Sequence, residues 1–591
     1  MTAKSFYEKS ISGYTAKSEA LKKRITLVSV MRLLSFAGFA FAFYKLVAGY
    51  NSWLWFAIIV LATAFVWLVR LALQLNDEKT LLEKLLFINK NELGILSQQP
   101  NQMDDGSSFL SDSDYSHDLD IFGRYSLFHV LNRTTTVDGR LFLAERLHNP
   151  MLSKNSIAEV QQAILALTTQ AEERHLITAK GLLNEEKETS LHSISEWLAT
   201  GNHLHNKSWL KILRWIWPPV TVAAFIYYLE TDQLGPFIIA GTISWLITGV
   251  FVKYIQKQHG LLSKKQAVLE QYAGILNAFR LADTGASVKL KELNNIASHA
   301  GFSIGQLAKL TSFFDQRINM LVFALLNTFL LYDIQCILAL EKWKEKNKPQ
   351  FENWIDCVAQ IEYLNSLAAF AYNNREFTYP VVTDEEFVIE TVQLAHPLIP
   401  ANERIANDFS TGKNDKLILL TGSNMSGKTT FLRSAGINLI LAQCGAPVCA
   451  TSFRFHPMLI LSSIRVSDSL QEHTSYFMAE LKKLQSIIHI LQTGKAALVL
   501  IDEILRGTNS NDKHTGSEQF IKQLLQYKCI TLFATHDLQL GQLEEQYPGK
   551  ISNYCFESII ENGELNFDYK LRRGVAQNKN ASFLMKKMGI I

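Results

Sequence analysis

The 591-residue sequence is poor in cysteine, in charged residues and in net charge of either sign. Its six cysteines show neither the C-x-x-C spacing of a metal site nor a disulfide framework, which predicts six buried thiols in a reducing compartment. A formal net charge of +3 is too small to indicate a nucleic-acid partner. The first apolar stretch follows a long polar leader without a small-residue cleavage site, so no cleavable signal peptide is evident. Composition therefore argues against a secreted, disulfide-stabilised protein.

Hydrophobic residues, in contrast, are abundant for a chain of this length. They make up 48% of the sequence, and the mean hydropathy is +0.05. The excess lies in two pairs of apolar segments, 27–48 with 53–69 and 215–229 with 234–252, and each pair is divided by a short polar turn. A helix needs about 20 apolar residues to cross a bilayer. The two pairs therefore predict two transmembrane helical hairpins, with membrane lipid as a partner.

Basic residues predict the orientation of these hairpins. By the positive-inside rule, the side of the membrane that carries the lysines and arginines is the cytoplasmic side. The basic residues that flank the segments on the sides facing away from the short turns are Lys22, Lys23, Arg24, Arg70, Lys207, Lys211, Arg214, Lys253, Lys257, Lys264 and Lys265. Both hairpins would then enter from the cytoplasm and return to it, which predicts a protein of the cytoplasmic membrane whose large polar regions face the cytoplasm.

Two points about the apolar segments stay open at the level of sequence. The same segments could be buried helices of a soluble domain, mainly because Arg32 and Lys45 weaken the first one. A fifth apolar run, at 320–340, contains Asn327, Asp333 and Gln335. Because a carboxylate is costly inside a membrane, we expect this run to form a buried core helix and not a membrane span.

The clearest chemical motif lies at 417–430, where a short apolar strand runs into a glycine-bounded loop and then a helix. Gly422 and Gly427 bracket four residues and are followed by Lys428 and Thr429, which is the G-x-x-x-x-G-K-[ST] spacing of a phosphate-binding loop. Glycines let the backbone turn its N–H groups toward an anion, and the following helix adds its positive N-terminal dipole. The residues predicted to contact ATP are Gly422, Ser423, Asn424, Met425, Ser426, Gly427, Lys428, Thr429 and Thr430.

Two further apolar runs end in residues that complete a catalytic site. The run at 496–503 ends in Asp502 and Glu503, and the run at 529–536 ends in His536. Both read as strands buried on two faces of a parallel sheet, whose carboxyl ends gather ligands. Thr429 and Asp502 are predicted to hold Mg²⁺, Lys428 to reach the β- and γ-phosphates, Glu503 to activate water and His536 to sense the γ-phosphate.

The remaining chain is predicted to be mainly α-helical up to about residue 375, after which valine, threonine and isoleucine mark an α/β domain. A polar, acidic stretch at 101–118 reads as a linker or irregular loop. The predicted domains are a basic cytoplasmic leader (1–26), a membrane hairpin (27–75), a linker (76–117), a first segment of helical core (118–208), a second membrane hairpin (209–256), a second segment of helical core or lever (257–375) and a P-loop ATPase domain (376–591).

The motifs together resemble those of the MutS family of DNA mismatch-repair ATPases, over residues 118–591 apart from the inserted apolar pair. The resemblance implies an α-helical MutS-type core and lever region joined to a C-terminal P-loop α/β (ABC-like) ATPase domain. The motifs that carry it are Gly-Ser-Asn-Met-Ser-Gly-Lys-Thr at 422–429, Leu-Ala-Gln-Cys-Gly-Ala-Pro-Val at 441–448, Ser-Tyr-Phe-Met-Ala-Glu at 475–480, Asp-Glu-Ile-Leu-Arg-Gly-Thr at 502–508 and Ala-Thr-His at 534–536.

The same resemblance implies partners and a mode of action. Two ATPase domains would face each other in a homodimer, with Ser475 reaching in trans the γ-phosphate held by the partner, and 506–508 at the same seam. DNA would be the ligand of the clamp. Family members that read mismatches carry an N-terminal domain with a Phe-x-Glu wedge. Here Phe6-Tyr7-Glu8 matches those letters within a short leader, so we expect a shortened, membrane-associated member that lacks the mismatch-reading domain.

The sequence thus predicts a MutS-type, Mg²⁺-dependent ATPase that binds DNA, switches a dimeric clamp and serves DNA repair on mismatched, branched or damaged DNA. No basic run or aromatic stacking platform shows the DNA contact directly. The alternative is a membrane ATPase without DNA binding. It could be a transporter type, against which the absent Leu-Ser-Gly-Gly-Gln signature stands, or a tether that uses ATP as an assembly switch.

Overall fold

The computed structural model describes residues 2–49, 52–110, 115–184, 192–411, 415–465, 476–505, 508–561 and 564–577. Its first two helices are unusually long: α1 spans Ala3–Ala48 and α2 spans Ser52–Leu96. They run antiparallel, since Ser35 donates a hydrogen bond to the carbonyl of Leu61 (3.0 Å) and Leu21 lies in one apolar cluster with Leu75. The apolar segments predicted at 27–48 and 53–69 are therefore the distal halves of two continuous helices. The predicted linker at 76–117 is wrong over its N-terminal portion, because α2 continues through it.

The proximal end of α1 is docked against the helical body. Tyr7 is fully buried, and its hydroxyl donates to Asn373 Oδ1 at 2.7 Å. Asn373 in turn donates to Glu92 Oε2 of α2 (2.7 Å), and Arg133 holds both oxygens of Glu92 at 2.9 Å. Burial would raise the pKa of Glu92, but the Arg133 guanidinium outweighs it and holds the pKa at about 2. The segment Phe6-Tyr7-Glu8 therefore lies where α1 packs against the helical body, since the Phe6 ring contacts the rings of Tyr7 and Tyr372.

Helices of very different lengths, from 4 to 28 residues, build the helical body. Serine and threonine begin several of them: Ser126 accepts a hydrogen bond from His129 N, Thr136 from Gly139 N and Ser287 from Leu290 N. The helices are α3 (Tyr115–Asp118), α4 (Leu127–Leu131), α5 (Val137–His148), α6 (Lys154–Thr168), α7 (Ala171–Leu182), α8 (His192–Ala199), α9 (Ser208–Thr231), α10 (Gly235–Val250), α11 (Val252–Leu262), α12 (Gln266–Phe279), α13 (Val288–Asp315), α14 (Met320–Leu330), α15 (Tyr332–Asn347) and α16 (Phe351–Asn373). The last of these, α16, is buried along almost its whole length.

Exposed large apolar side chains are most numerous on three of the described helices of the body. These helices are α9, α10 and α14, and α14 packs on the other two: its Phe329 ring lies 5.4 Å from Phe225 and 5.5 Å from Phe237. The single core helix expected at 320–340 is therefore wrong. The chain bends by 82° after Leu330, so that α14 is largely exposed and only α15 is buried.

By length and composition, three helices of the described chain could cross a membrane. They are Ala3–Ala48, Trp53–Leu96 and Ser208–Thr231. Two bent pairs, Gly235–Val250 with Val252–Leu262 and Met320–Leu330 with Tyr332–Asn373, bring the number to five if each pair counts as one span. Composition alone does not place any of them in lipid.

Residues beyond α16 form an α/β domain with two sheets. Its strands are β1 (Val381–Val382), β2 (Ile389–Leu394), β3 (Asn407–Ser410), β4 (Leu417–Gly422), β5 (Ser452–Phe455), β6 (Leu459–Ser463), β7 (Ala497–Asp502), β8 (Cys529–Thr535), β9 (Ile551–Glu561) and β10 (Glu564–Arg573), and its helices are α17 (Lys428–Gln443), α18 (Tyr476–Leu491), α19 (Ser510–Leu524) and α20 (Leu543–Gln546). The larger sheet has the order β10-β9-β4-β8-β7-β6 and is parallel except for β10. The smaller has the order β1-β5-β2-β3. The apolar runs at 496–503 and 529–536, predicted as doubly buried strands, are confirmed, because every residue of β7 and β8 is buried. The predicted short apolar strand before the loop is β4, which is buried as well.

A buried carboxylate joins the helical body to the α/β domain. Asp118, at the end of α3, accepts hydrogen bonds from Ser462 Oγ (2.6 Å) and from the backbone N–H groups of Ile464 (3.1 Å) and Arg465 (2.9 Å). Its fourth partner is Lys483 Nζ of α18, at 2.7 Å. The side chain of Asp118 is completely shielded from solvent, so these contacts satisfy a charge that burial would otherwise make costly.

Apolar packing continues across the same junction. Leu119 lies so close to Gly436 of α17 that a Cβ at that glycine would come within 2.8 Å of the leucine side chain. Residues from α3 to α16 form one cluster with strand residues such as Ile418 and Leu500. The helical body and one face of the larger sheet therefore share a single hydrophobic core. All six cysteines are buried, as the sequence predicts.

Candidate nucleotide site

The carboxyl ends of three neighbouring strands bring the predicted site residues together. In the larger sheet β8 lies between β4 and β7, with Thr421 beside Thr535 and Asp502 beside Ala534. The loop after β4, the carboxylates at the end of β7 and the histidine after β8 therefore meet at one edge. This is the edge where ligands of open parallel sheets gather.

The loop between β4 and α17 has the geometry of an anion cradle. Gly422 has φ +154° and lies so close to Phe556 that a Cβ would come within 2.7 Å of that carbonyl oxygen. Gly427 has φ +106°, in the left-handed region that side chains disfavour, and it is the N-cap of α17. The helix begins at Lys428, so its N-terminal N–H groups and dipole face the loop.

Lys428 is the cation of this loop. Its side chain is buried, and Nζ donates to the carbonyls of Gly422 and Ser423, both at 2.9 Å. Those contacts hold the ammonium over the concave side of the loop, where a phosphate oxygen could replace a carbonyl as its acceptor. Of the other predicted contact residues, Ser426 is buried, and its Oγ has no hydrogen-bond partner among the residues that the structure describes, whereas Met425 is exposed at the loop tip.

The two predicted metal ligands are in direct contact. Thr429 Oγ1 donates to Asp502 Oδ2 at 2.6 Å, and Asp502 is buried at the end of β7. Within the described ranges, no cluster of three or more histidine, cysteine, aspartate or glutamate side chains could hold a metal ion. A hydroxyl and one carboxylate suit Mg²⁺, which is usually bound through one or two carboxylates together with substrate phosphates. The residues present therefore fit a cation that arrives with a nucleotide.

Glu503 and His536 lie side by side at the mouth of the site. His536 Nε2 is 2.5 Å from Glu503 Oε1 and 2.7 Å from Asn424 Oδ1 of the loop. Glu503 has φ +51°, which is unusual for a residue with a side chain, and its N–H donates to the carbonyl of Ala534. That conformation directs the carboxylate away from the strand, toward the histidine and the loop. Strained backbone of this kind is common at functional sites.

A cavity of about 750 Å³ adjoins the loop, and its walls include residues to which the sequence analysis gave no role in the site. Its walls beyond the motif include His396, Leu398, Pro400, Ile405 and Tyr569. Burial, with Arg433 nearby, lowers the pKa of His396 to about 4, so the ring is neutral at physiological pH. These residues come from an irregular segment at 395–406 and from a bulged strand, for which hydrophobic periodicity gives no signal. The cavity is large enough for the base and sugar of a nucleotide whose phosphates lie in the loop.

Some predicted residues of the partner-facing seam lie outside the described residues. These are Ser475, Arg506 and Gly507, whose roles remain predictions. The neighbouring Glu480 is buried in α18, and its Oε1 accepts a hydrogen bond from Leu505 N at 2.8 Å. The segment after β7 is thereby tied to the helix that follows Ser475.

Comparison with known proteins agrees with the motifs. Residues 418–588 match the sequence model of MutS domain V. The chain is 33% identical over 236 residues to "MutS protein homolog 4" of Homo sapiens, covering 38% of this chain and 24% of the human protein. The protein of the same name from Mus musculus is 34% identical over 236 residues, with the same coverage. The chain thus spans about a quarter of the length of these relatives. The matches support a relation of its C-terminal region to the MutS family.

Proposed function

We propose that this chain is a Mg²⁺-dependent ATPase of the MutS type. One observation carries the proposal: a glycine-bounded loop with a buried lysine, a threonine–aspartate contact and a glutamate–histidine pair all lie at one sheet edge beside a cavity of nucleotide size. Each of these groups has a place in phosphoryl transfer to water. The match to MutS domain V supports the same activity.

In this proposal each side chain has one task. Lys428 neutralises charge on the β- and γ-phosphates, and the N–H groups at the start of α17 add a fixed positive field. Thr429 and Asp502 would hold Mg²⁺, which supplies charge neutralisation between the phosphates when bound. Glu503 orients the attacking water and takes its proton, while His536, 2.5 Å from it, holds the carboxylate and reads the γ-phosphate position.

The use made of ATP is proposed from the family relation. Two copies would meet through their ATPase domains in a homodimer, with Ser475 of each reaching the nucleotide of the other. Hydrolysis would switch this clamp between open and closed states on DNA, in a process related to DNA repair. The continuous core between the α3–α16 body and the sheet supports the idea that a change at the nucleotide reaches the helical body.

Anchoring in the cytoplasmic membrane is a separate component of the proposal. It is supported by two helical hairpins, α1–α2 and α9–α10, whose large apolar side chains are exposed. Most of their basic residues lie at the ends away from the turns, and Arg32 and Lys45 are the exceptions in α1. Lipid covering these surfaces would remove a large exposed apolar area that a soluble monomer rarely carries. The α/β domain and the helical body would then face the cytoplasm.

Nucleotide hydrolysis by the purified full chain tests the ATPase proposal. Lys428→Ala is expected to abolish ATP binding and hydrolysis, because it removes the only predicted phosphate-binding ammonium of the loop. The matched control is Lys495→Ala, an exposed lysine that precedes β7 at the opposite edge of the sheet. Equal activity of Lys428→Ala and the control would refute the assignment.

Duplex binding at increasing salt separates the DNA-binding clamp from a tether or a transporter-type ATPase. Phosphate contacts release counterions, so binding to DNA should weaken steeply as salt rises and should change with ATP. Matched, mismatched and four-way-branched DNA, compared at each salt concentration, would also show which form is preferred. A chain that hydrolyses ATP but binds none of them would favour the tether or transporter, for which the exposed apolar helices are the supporting observation.

A further inference from the structure

The three exposed apolar helices of the body have an inverted distribution of side chains. Apart from Leu210 near the start of α9, their buried positions carry small or polar residues, and their exposed positions carry mostly large apolar ones. The buried small and polar residues are Thr221, Ala240, Gly241, Ser244, Thr248 and Asn327. Leu321, Leu246 and Trp215 are, in contrast, 77%, 65% and 70% exposed. A domain folded in water buries its large apolar side chains, whereas helices packed in lipid place small and polar residues between them.

Small residues allow α14 to lie close to α10. A Cβ at Gly241 would come within 3.3 Å of Thr328 of α14. The polar hydrogens at this contact also have acceptors, since Trp217 Nε1 donates to Ser244 Oγ (2.8 Å) and Trp245 Nε1 to Thr328 Oγ1 (3.0 Å). The contact between α14 and the α9–α10 hairpin is therefore closely packed and satisfied in its hydrogen bonds.

The backbone carbonyls at the end of α14 are also satisfied by hydrogen bonds. A helix that stops leaves its last carbonyls without partners, and in hydrocarbon there is no water to take their place. Here each carbonyl has a donor. Asn327 O accepts from Leu331 N, Thr328 O from Ser244 Oγ, Phe329 O from Thr221 Oγ1, and the carbonyls of both Leu330 and Leu331 from Gln335. Two of these donors are side chains of α9 and α10, and their hydroxyls also lie within hydrogen-bond distance of carbonyls of their own helices, Pro218 O (2.8 Å) and Ala240 O (3.2 Å).

The chain enters and leaves α14 at one place. Arg317, just before the helix, lies 3.1 Å from Asp333, just after it, and Tyr332 donates its hydroxyl to the carbonyl of Phe313 at 2.6 Å. On the return Gln335 contacts the carbonyl of Arg214, at the basic end of α9 (3.4 Å). Eleven residues of helix are about 16 Å long, which is roughly half the hydrocarbon thickness.

We propose that α14 is a re-entrant membrane helix, which enters the lipid beside the α9–α10 hairpin and returns to the same face at the Arg317–Asp333 pair. The occupant of its exposed surface is the hydrocarbon of the bilayer. Continuity with the apolar surface of α9 and α10, the inverted side-chain pattern and the satisfied carbonyls favour lipid over a protein partner. This inference rests on the membrane anchoring proposed above, and it extends it from a hairpin to a three-helix unit.

Quenching by brominated lipids tests the proposal on the full chain in liposomes. Three variants with one added cysteine each at an exposed leucine would carry an environment-sensitive fluorophore: Leu325→Cys in α14, Leu246→Cys in α10 and Leu281→Cys between α12 and α13. The six native cysteines are buried, and labelling of the unmodified chain measures their background. We expect loss of fluorescence with brominated lipid at 325 and 246, and none at 281.

Each other outcome has a defined meaning. Quenching at 246 without quenching at 325 would overturn the re-entrant helix and leave the hairpin anchor standing. A blue-shifted emission of the probe at 325, without quenching by brominated lipid, would indicate an apolar environment made by protein and not by lipid. That result would also overturn the proposal. Absence of quenching at both 325 and 246 would remove the membrane anchoring itself, irrespective of α14.

Discussion

At the scale of single residues, Glu503 is the side chain whose loss should separate nucleotide binding from turnover. It lies beyond the phosphate-binding loop and contacts His536, so Glu503→Ala leaves Lys428, Thr429 and Asp502 in place. Loss of a general base typically lowers a rate by about 10²- to 10⁴-fold. We expect Glu503→Ala to bind ATP as the unmodified chain does and to hydrolyse it at a rate lower by that order.

The measurement is a steady-state phosphate-release assay beside equilibrium binding of a fluorescent ATP analogue. Glu545→Ala is the matched control, since Glu545 is exposed on α20. Undiminished hydrolysis by Glu503→Ala, with a normal control, would remove Glu503 from the mechanism.

A second residue-scale prediction concerns the buried pair of Glu92 and Arg133. Removal of one member of a buried ion pair strands the other and typically costs about 3–5 kcal/mol. Arg133→Ala should therefore lower the free energy of unfolding by that order, as measured by denaturant titration. The control is Lys79→Ala on α2, the helix of Glu92, because the solvent-accessible pair of Lys79 with Glu83 (3.7 Å) should contribute less than about 1 kcal/mol. Equal effects of the two substitutions would contradict the prediction.

The same pair predicts a dependence of stability on pH. The folded-state pKa of Glu92, about 2, lies below its ordinary value of 4.5. A depressed acid pKa contributes stability that is complete above the ordinary value and is lost as the pH falls toward the folded value. Thermal unfolding between pH 6 and pH 2 should show this loss in the unmodified chain, with a smaller loss in Glu92→Gln.

Sequence alone could identify the residues that belong to contiguous motifs. The loop at 422–430, Asp502, Glu503 and His536 are recognisable because their spacing follows strand ends. His396, Tyr569 and Asp118 could not be assigned a place in this way, since their neighbours come from irregular segments far away in the chain. Asp118, for example, contacts residues 462–465 and 483.

At the scale of elements, continuous apolar strands could be predicted, and helix ends could not. The run at 320–340 reads as one helix because its hydrophobic pattern is unbroken, yet Leu331 adopts φ +50° and ends α14. No glycine or proline marks that break; it depends on donors from Thr221, Ser244 and Gln335 that the sequence cannot place. Likewise, the polar residues before 27 and after 75 gave no sign that α1 and α2 continue through them. These polar halves of the two helices pack on the body and on each other.

These donors give a prediction at the same scale. Thr221→Val keeps the shape of the side chain and leaves the Phe329 carbonyl without its donor. Side-chain hydrogen bonds between membrane helices are worth about 0.6 kcal/mol on average and about 1.7 at most. We expect a loss of stability of that order in detergent, measured by thermal unfolding. Thr242→Val is the control, because the Thr242 hydroxyl bonds only within its own helix, to Ile238 O. An effect of Thr242→Val as large as that of Thr221→Val would contradict the role of this donor.

At the scale of the whole molecule, the junction at Asp118 should determine how stably the α/β domain is held to the helical body. Asp118→Ala removes the acceptor of Ser462 Oγ and of the N–H groups of Ile464 and Arg465. It also removes the carboxylate partner of Lys483, whose Nζ keeps the carbonyl of Arg465 at 3.1 Å. An unsatisfied buried polar group costs about 1–3 kcal/mol. We expect Asp118→Ala to lower the free energy of unfolding, measured by denaturant titration, by the sum of several such contributions. A second unfolding transition should appear if the α/β domain and the helical body unfold separately.

The control for this substitution is another contact between the helical body and the α/β domain. Asp384 of the α/β domain pairs with Lys154 of α6 at 2.5 Å, but both side chains are exposed. Asp384→Ala should change stability by less than about 1 kcal/mol. If Asp118→Ala were as mild as this control, the junction would not depend on its carboxylate.

The antiparallel pair α1–α2 and the unit of α9, α10 and α14 leave the body at separate places, and this has a consequence for symmetry. If both units are anchored in the membrane as proposed, the chain has one fixed orientation relative to the membrane plane. Two such copies in one bilayer can be related only by a rotation axis perpendicular to the membrane plane. A rotation axis lying in that plane would invert one copy relative to the other. Their encounters are then confined to two dimensions, which raises the effective concentration of each for the other. A fragment that lacks both membrane units would not have this raised effective concentration, and it should therefore dimerise only at higher concentration.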